Sequence, residues 1–131
     1  MTPVFVDTSA LIALLDGDDP RHEEVREAFA RHVSDELVTH GYVVAESLAV
    51  TRRRFGIDGV VALLDDVLPA IALLPVDTAL HAEAQRQYRA ALPSGVSFVD
   101  RVSLAVIERD GIPTAMVLDP DFEQVGLTTT P

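Results

Sequence analysis

Four carboxylates sit where short apolar runs stop or where helical patterns begin: Asp7, Glu46, Asp100 and Asp119. In an open sheet of parallel strands, ligands bind beyond the carboxyl ends of the strands. Acids from four separate segments are thereby aimed at one edge. Carboxylates brought together repel, and without a cation at least one has its pKa raised. Hard divalent ions such as Mg2+ or Mn2+ relieve that repulsion and prefer oxygen ligands. The residues therefore describe a carboxylate-lined metal site. Each acid also has a plainer use. Asp7 before Thr8 and Ser9 can cap a helix, Asp100 can stabilise a helix dipole, and Asp119 before Pro120 can make a turn. Glu46 is the hardest to dismiss, because Val43, Val44 and Ala45 precede it and Leu48, Ala49 and Val50 follow. A charge in such a stretch is costly to bury unless paired or metal-bound.

The basic residues are few. Arg52, Arg53 and Arg54 form the one basic cluster, and Arg53 lies about 10 Å beyond Glu46 along one helix face. That suits a phosphate contact flanking a metal site, and it equally suits a solvated helix end. Arg101, beside Asp100, can pair with a carboxylate or a phosphate. His22, His32, His40 and His81 show no paired metal-ligand spacing and read as surface or packing residues. The serines lack a nucleophile-elbow context, so Ser–His–Asp hydrolysis is not indicated.

The elements that must position these groups follow from pattern. Val4-Phe5-Val6 is a buried strand that feeds a helix from Ala10, with Thr8 or Ser9 as a plausible N-cap. Pro20 opens a second helix. Leu37-Val38-Thr39 is a second strand, followed by a helix from Gly41 to Phe55 that Gly56 stops, and then by another from Ile57 to Val67. Ile71–Leu74 is a third strand, and Asp77 or Thr78 caps a helix to about Leu92. A last helix runs from Ser97 to about Asp110, closed by Gly111. Strands at Thr114–Leu118 and Leu127–Thr129 complete the pattern. Helices alternating with short apolar strands give an α/β fold with a mostly parallel central sheet.

Composition bounds the rest. The chain has 131 residues, 21 acidic against 10 basic, and a net charge of −11. Its length indicates one domain over residues 1–131, and a 48% hydrophobic content with mean hydropathy +0.23 supplies a real core. It contains no Cys, Lys or Asn, and all ten basic residues are Arg. Thiolate zinc sites, iron–sulfur clusters, Schiff-base lysines and P-loop lysines are thereby excluded. Receiver domains and haloacid-dehalogenase-type phosphatases, which also place acids at strand ends, need a lysine that this chain lacks. No basic leader or membrane-spanning run is visible, so the chain reads as cytoplasmic. The acidic balance excludes nucleic-acid recognition by a generally basic surface. Without the four site acids the balance is 17 against 10, still −7.

The ordered motifs resemble those of PIN domains. Val4-Phe5-Val6-Asp7-Thr8-Ser9 is similar to the family's opening strand and acid, and Glu46 to its second acid. Ser97-Phe98-Val99-Asp100 is similar to the third motif, and Leu118-Asp119-Pro120-Asp121-Phe122 to the last. The size and the Asp19-Pro20-Arg21-His22 turn look like VapC-type toxins of bacterial toxin–antitoxin pairs. The resemblance implies a three-layer fold and a Mg2+- or Mn2+-dependent ribonuclease, inhibited by an antitoxin and usually dimeric. It implies Asp7 and Asp100 as principal metal ligands, Glu46 and Asp119 completing the pocket, and Thr8 supporting Asp7 by a hydrogen bond. One position departs: many relatives carry Thr or Ser two residues before the last acid, where this chain has Val117, and Asp121 rivals Asp119 for that role. The alternative reading is a PIN-like RNA-binding module that inhibits translation without cutting.

Overall fold

The computed structural model describes residues 2–118 and the strand at 128–130. Five short strands form one sheet: β1 (Pro3–Val6), β2 (Glu36–His40), β3 (Ala72–Leu74), β4 (Thr114–Met116) and β5 (Thr128–Thr130). Their order is β3-β2-β1-β4-β5, and every neighbouring pair is parallel. The sheet is thus wholly parallel, and all its carboxyl ends meet at one edge. β1 lies at the centre, and Val4, Phe5 and Val6 are fully buried, as expected of a strand covered on both faces.

Among the described residues five α-helices make the crossovers from β1 to β4: α1 (Thr8–Leu15), α2 (His22–Arg31), α3 (Gly41–Ala62), α4 (Thr78–Ala90) and α5 (Phe98–Asp110). Leu11, Val25, Val43, Val102 and Val106 pack with Phe5, Val38 and Met116 into one core.

Helix boundaries follow the local chemistry. Of the three residues offered as the cap of α1, Asp7 takes the role, ahead of Thr8 and Ser9. Asp77 caps α4 by accepting from the Leu80 N–H at 2.8 Å. Ser97 caps α5, and Gly111 ends it at φ 64°. The two helices expected on either side of Gly56 are present, and α3 comprises both, joined across a kink at that residue. Gly56 has φ 70° and ψ −160°, non-helical values inside α3, in a region essentially restricted to glycine. Beyond Ala62 a wide turn (Leu63–Val67) and a tight one (Leu68–Ala70) lead to β3. Among the described residues no helix is long and apolar enough to cross a membrane.

One side-chain and one backbone hydrogen bond lock the strand ends to one another at the carboxyl edge. The Thr39 hydroxyl donates to the Val6 carbonyl at 2.8 Å, and the Asp7 N–H donates to the Met116 carbonyl at 3.1 Å. β1, β2 and β4 are thereby held in fixed relation where the candidate acids emerge.

Candidate active site

Asp7 is the first residue after the central strand. Its backbone is extended while it caps α1, which turns its side chain back over the helix start. Oδ2 accepts from the Ser9 N–H at 3.1 Å and from the Ser9 hydroxyl at 2.7 Å. Oδ1 is buried and has no hydrogen-bond partner among the described residues. The residue is only 4% exposed. Burial pushes the Asp7 carboxyl above its usual range, and the negative charge of Glu46 pushes the same way, against the lowering effect of the Ser9 bonds. An orphaned carboxylate oxygen, desolvated and facing a second acid's field, lacks a positive charge. This is the donor chemistry of a hard divalent cation.

Glu46 is half-buried in the second turn of α3, and Asp100 is half-buried in the first turn of α5. The fold thus carries both acids on helices that begin at the carboxyl edge, and Asp7 and Glu46 are near enough to couple electrostatically. Among the described residues, no three His, Cys, Asp or Glu side chains form a complete ligand set for a metal ion. Asp119 and its rival Asp121 lie outside the described residues.

Two site features differ from expectation. The Thr8 hydroxyl is buried without a hydrogen-bond partner among the described residues, so Thr8 assists Asp7 through its backbone N–H alone. The hydroxyl that supports Asp7 belongs to Ser9. Ser9 Oγ also accepts from the Leu118 N–H at 2.9 Å, which ties the acid to the chain leaving β4. Sequence reasoning offered Ser9 as a cap and missed this double role, since a spacing of 109 residues leaves no local signal.

His40 is a packing residue, as expected, but a polar one. It is completely buried, and burial holds its imidazole neutral, with its pKa lowered to about 4. Nδ1 accepts from the N–H groups of Tyr42 and Val43 at 3.1 and 3.4 Å, capping α3. An acceptor at Nδ1 places the proton on Nε2, which donates to Ser103 Oγ at 2.8 Å. Ser103 in turn donates to the Val99 carbonyl at 3.1 Å.

The arginines divide by partner. Arg54 pairs with Asp16 at 3.2 Å and lies over the Phe55 ring at 5.3 Å. Arg52 and Arg53 are exposed, with no ion pair among the described residues. Arg101 donates to Ser94 Oγ at 3.3 Å.

The sequence model of the PIN domain matches residues 4–127. The chain belongs to the PIN-domain family. The match spans the opening acid, Glu46, Asp100 and the final acidic segment. This PIN domain is 31% identical over 124 residues to VapC20 of Mycobacterium tuberculosis, a protein named as a 23S rRNA-specific endonuclease, with 94% of each chain covered. The crystal structure of VapC20, described as a toxin that cleaves the sarcin–ricin loop, superimposes with a TM-score of 0.85 and covers 95% of this chain and 96% of that one. More distant neighbours share the fold at lower identity. FitAcB from Neisseria gonorrhoeae gives a TM-score of 0.73 at 17% identity, covering 98% of this chain and 96% of its own. VapBC2 from Rickettsia felis, bound to a promoter DNA fragment, gives 0.74 at 9% identity, covering 98% and 97%.

Proposed function

We propose that this PIN domain, one unit over residues 1–131, is a cytoplasmic endoribonuclease toxin that depends on Mg2+ or Mn2+. The observation that carries the reading is the buried Asp7 carboxylate, whose Oδ1 lacks a partner and whose charge is opposed by Glu46. Similarity to an rRNA-specific endonuclease over almost the whole chain supports RNA as the substrate, and ribosomal RNA as the first one to test. The VapBC neighbour supports a VapB-like antitoxin as the inhibitory partner, and the resemblance to VapC-type toxins implies a homodimer.

In this reading Asp7 and Asp100 hold the ion, and Glu46 and Asp119 complete the acidic pocket. A bound divalent ion supplies Lewis-acid stabilisation of phosphate oxygen and lowers the pKa of water. The protein supplies the rest. Ser9 holds Oδ2 of Asp7 by two hydrogen bonds and leaves Oδ1 as the donor. Glu46, free of a fixed partner in its role, orients the attacking water and accepts its proton at a carboxylate oxygen. Arg53 contacts a phosphate beyond the cut. No lysine or histidine is required, in keeping with the composition.

The test is cleavage of total RNA and of purified 23S rRNA, with cut sites mapped, beside Asp7→Asn. Cutting is expected to stop with EDTA, to return with Mn2+ or Mg2+, and to be lost in the variant. Cutting that persists unchanged in Asp7→Asn overturns the assignment. Tight RNA binding without any metal-dependent cutting would instead select the non-cleaving RNA-binding module.

A further inference from the structure

We infer that His40 is a positioning residue for the acidic pocket, bracing the helix that carries Glu46 against the helix that carries Asp100. The inference rests on the nuclease reading above. The side-chain caps of α1, α4 and α5 are short, Asp7, Asp77 and Ser97, and each accepts only from N–H groups and hydroxyls of its own helix start. At α3 the cap is an imidazole with a second functional nitrogen. Nδ1 takes the Tyr42 and Val43 N–H groups, and the opposite edge of the ring reaches Ser103 on α5 at 2.8 Å. Ser103 stands three residues after Asp100, so the two share a helix face, while Glu46 lies one turn beyond the captured Val43 N–H. One rigid, uncharged ring thus fixes the spacing of the two acid-bearing helix heads. Thr39, the preceding residue, clips the same strand end to Val6, next to Asp7. A ring with an acceptor on one side and a donor on the other is what this junction uses. Residues that orient metal-binding groups without touching the metal typically affect affinity or activity by about 10–100-fold.

Three variants of the full chain separate this role from simple packing. His40→Asn keeps a good capping oxygen but cannot span to α5. Ser103→Ala keeps the imidazole cap and removes its partner, and the double variant closes the cycle. The probes are Mn2+ titration followed by electron paramagnetic resonance without RNA, the thermal midpoint, and kcat against KM on an oligoribonucleotide that the wild type cuts. The expected result is Mn2+ binding weakened about tenfold and kcat lowered about tenfold in each single variant. KM for RNA is expected to stay unchanged, and the double variant to be no worse than either single one. Variants that lose thermal stability yet bind Mn2+ and cut like the wild type below their midpoints overturn the positioning role and leave the nuclease reading intact. Should His40→Asn fail to fold, Ser103→Ala decides by the same two outcomes. A wild type that neither binds Mn2+ nor cuts any RNA overturns both readings.

Discussion

Asp7 is placed at a cost to stability. Its carboxyl is raised above the ordinary value, so the folded chain holds that proton more tightly than the unfolded chain does. By linkage, stability from this group is greatest at acid pH and is lost as pH rises through the raised value. Above that raised value and without metal, ionising the group works against folding. Asp7→Asn removes the charge and the repulsion from Glu46 while keeping an acceptor for Ser9. The metal-free variant is therefore expected to melt higher than the metal-free wild type, by about 4 °C for each kcal/mol relieved, although it cuts no RNA. Differential scanning calorimetry in EDTA checks this, and a lower midpoint would contradict it. His40 has the opposite sign. Its pKa is lowered from 6.5 to about 4 by burial. The unfolded chain therefore takes up a proton that the folded chain refuses, and stability falls as pH drops through that window. The full effect is on the order of 3 kcal/mol. Urea midpoints measured at pH 7 and at pH 4.5 should differ less in His40→Asn than in the wild type.

At the scale of the element, what was legible in the sequence is what is encoded locally. Asp77 and Ser97 start helices, Gly111 ends one, and the apolar runs at 4–6 and 37–39 are strands because each is decided by a few adjacent residues. Asp7, Glu46 and Asp100 were readable as acids at element ends for the same reason. The junctions were not readable. The Ser9–Leu118 and His40–Ser103 bonds join residues 109 and 63 apart, and neither partner's type announces the other. Thr8 was expected to support Asp7 and acts through its backbone, while the hydroxyl on the carboxylate is that of Ser9, a matter of which hydroxyl the helix start turns toward it. Gly56 was legible as a break because a stop there needs only one residue at positive φ, and a second helix starts directly after it. A Cβ at Gly56 would meet nothing within 4 Å, yet φ is +70°. Gly56→Ala is therefore expected to destabilise through the backbone alone, by about 1–3 kcal/mol, with the wild-type cleavage pattern retained. Guanidinium unfolding, beside mapped cut sites, measures both.

Over the whole molecule the net charge of −11 leaves little long-range attraction for RNA. Arg21, Arg26, Arg54, Arg86 and Arg109 are engaged by neighbouring carboxylates. Arg52 and Arg53 are exposed on the helix that carries Glu46, without ion pairs among the described residues. Binding that relies on so few cations should depend weakly on salt, because each phosphate contact to a single strand contributes a slope of about −0.7 in log affinity against log salt. Arg53→Ala is expected to make that slope shallower by about 0.7 and to weaken binding across RNA sequences alike. Titrations of RNA binding from low to high KCl provide the measurement, and an unchanged slope would remove Arg53 from the RNA path.

The bend at Gly56 gives α3 two separate lives. The half before it carries Glu46 and the braced head. The half after it presents Ile57 and Val61 on its surface, with Leu64 exposed in the turn beyond. Changes of side chain beyond the bend act at a hinge's remove from the acids. A lineage can therefore rewrite that outer surface without disturbing the pocket, so the part of the chain that carries the acids and the part beyond the bend are free to evolve at different rates.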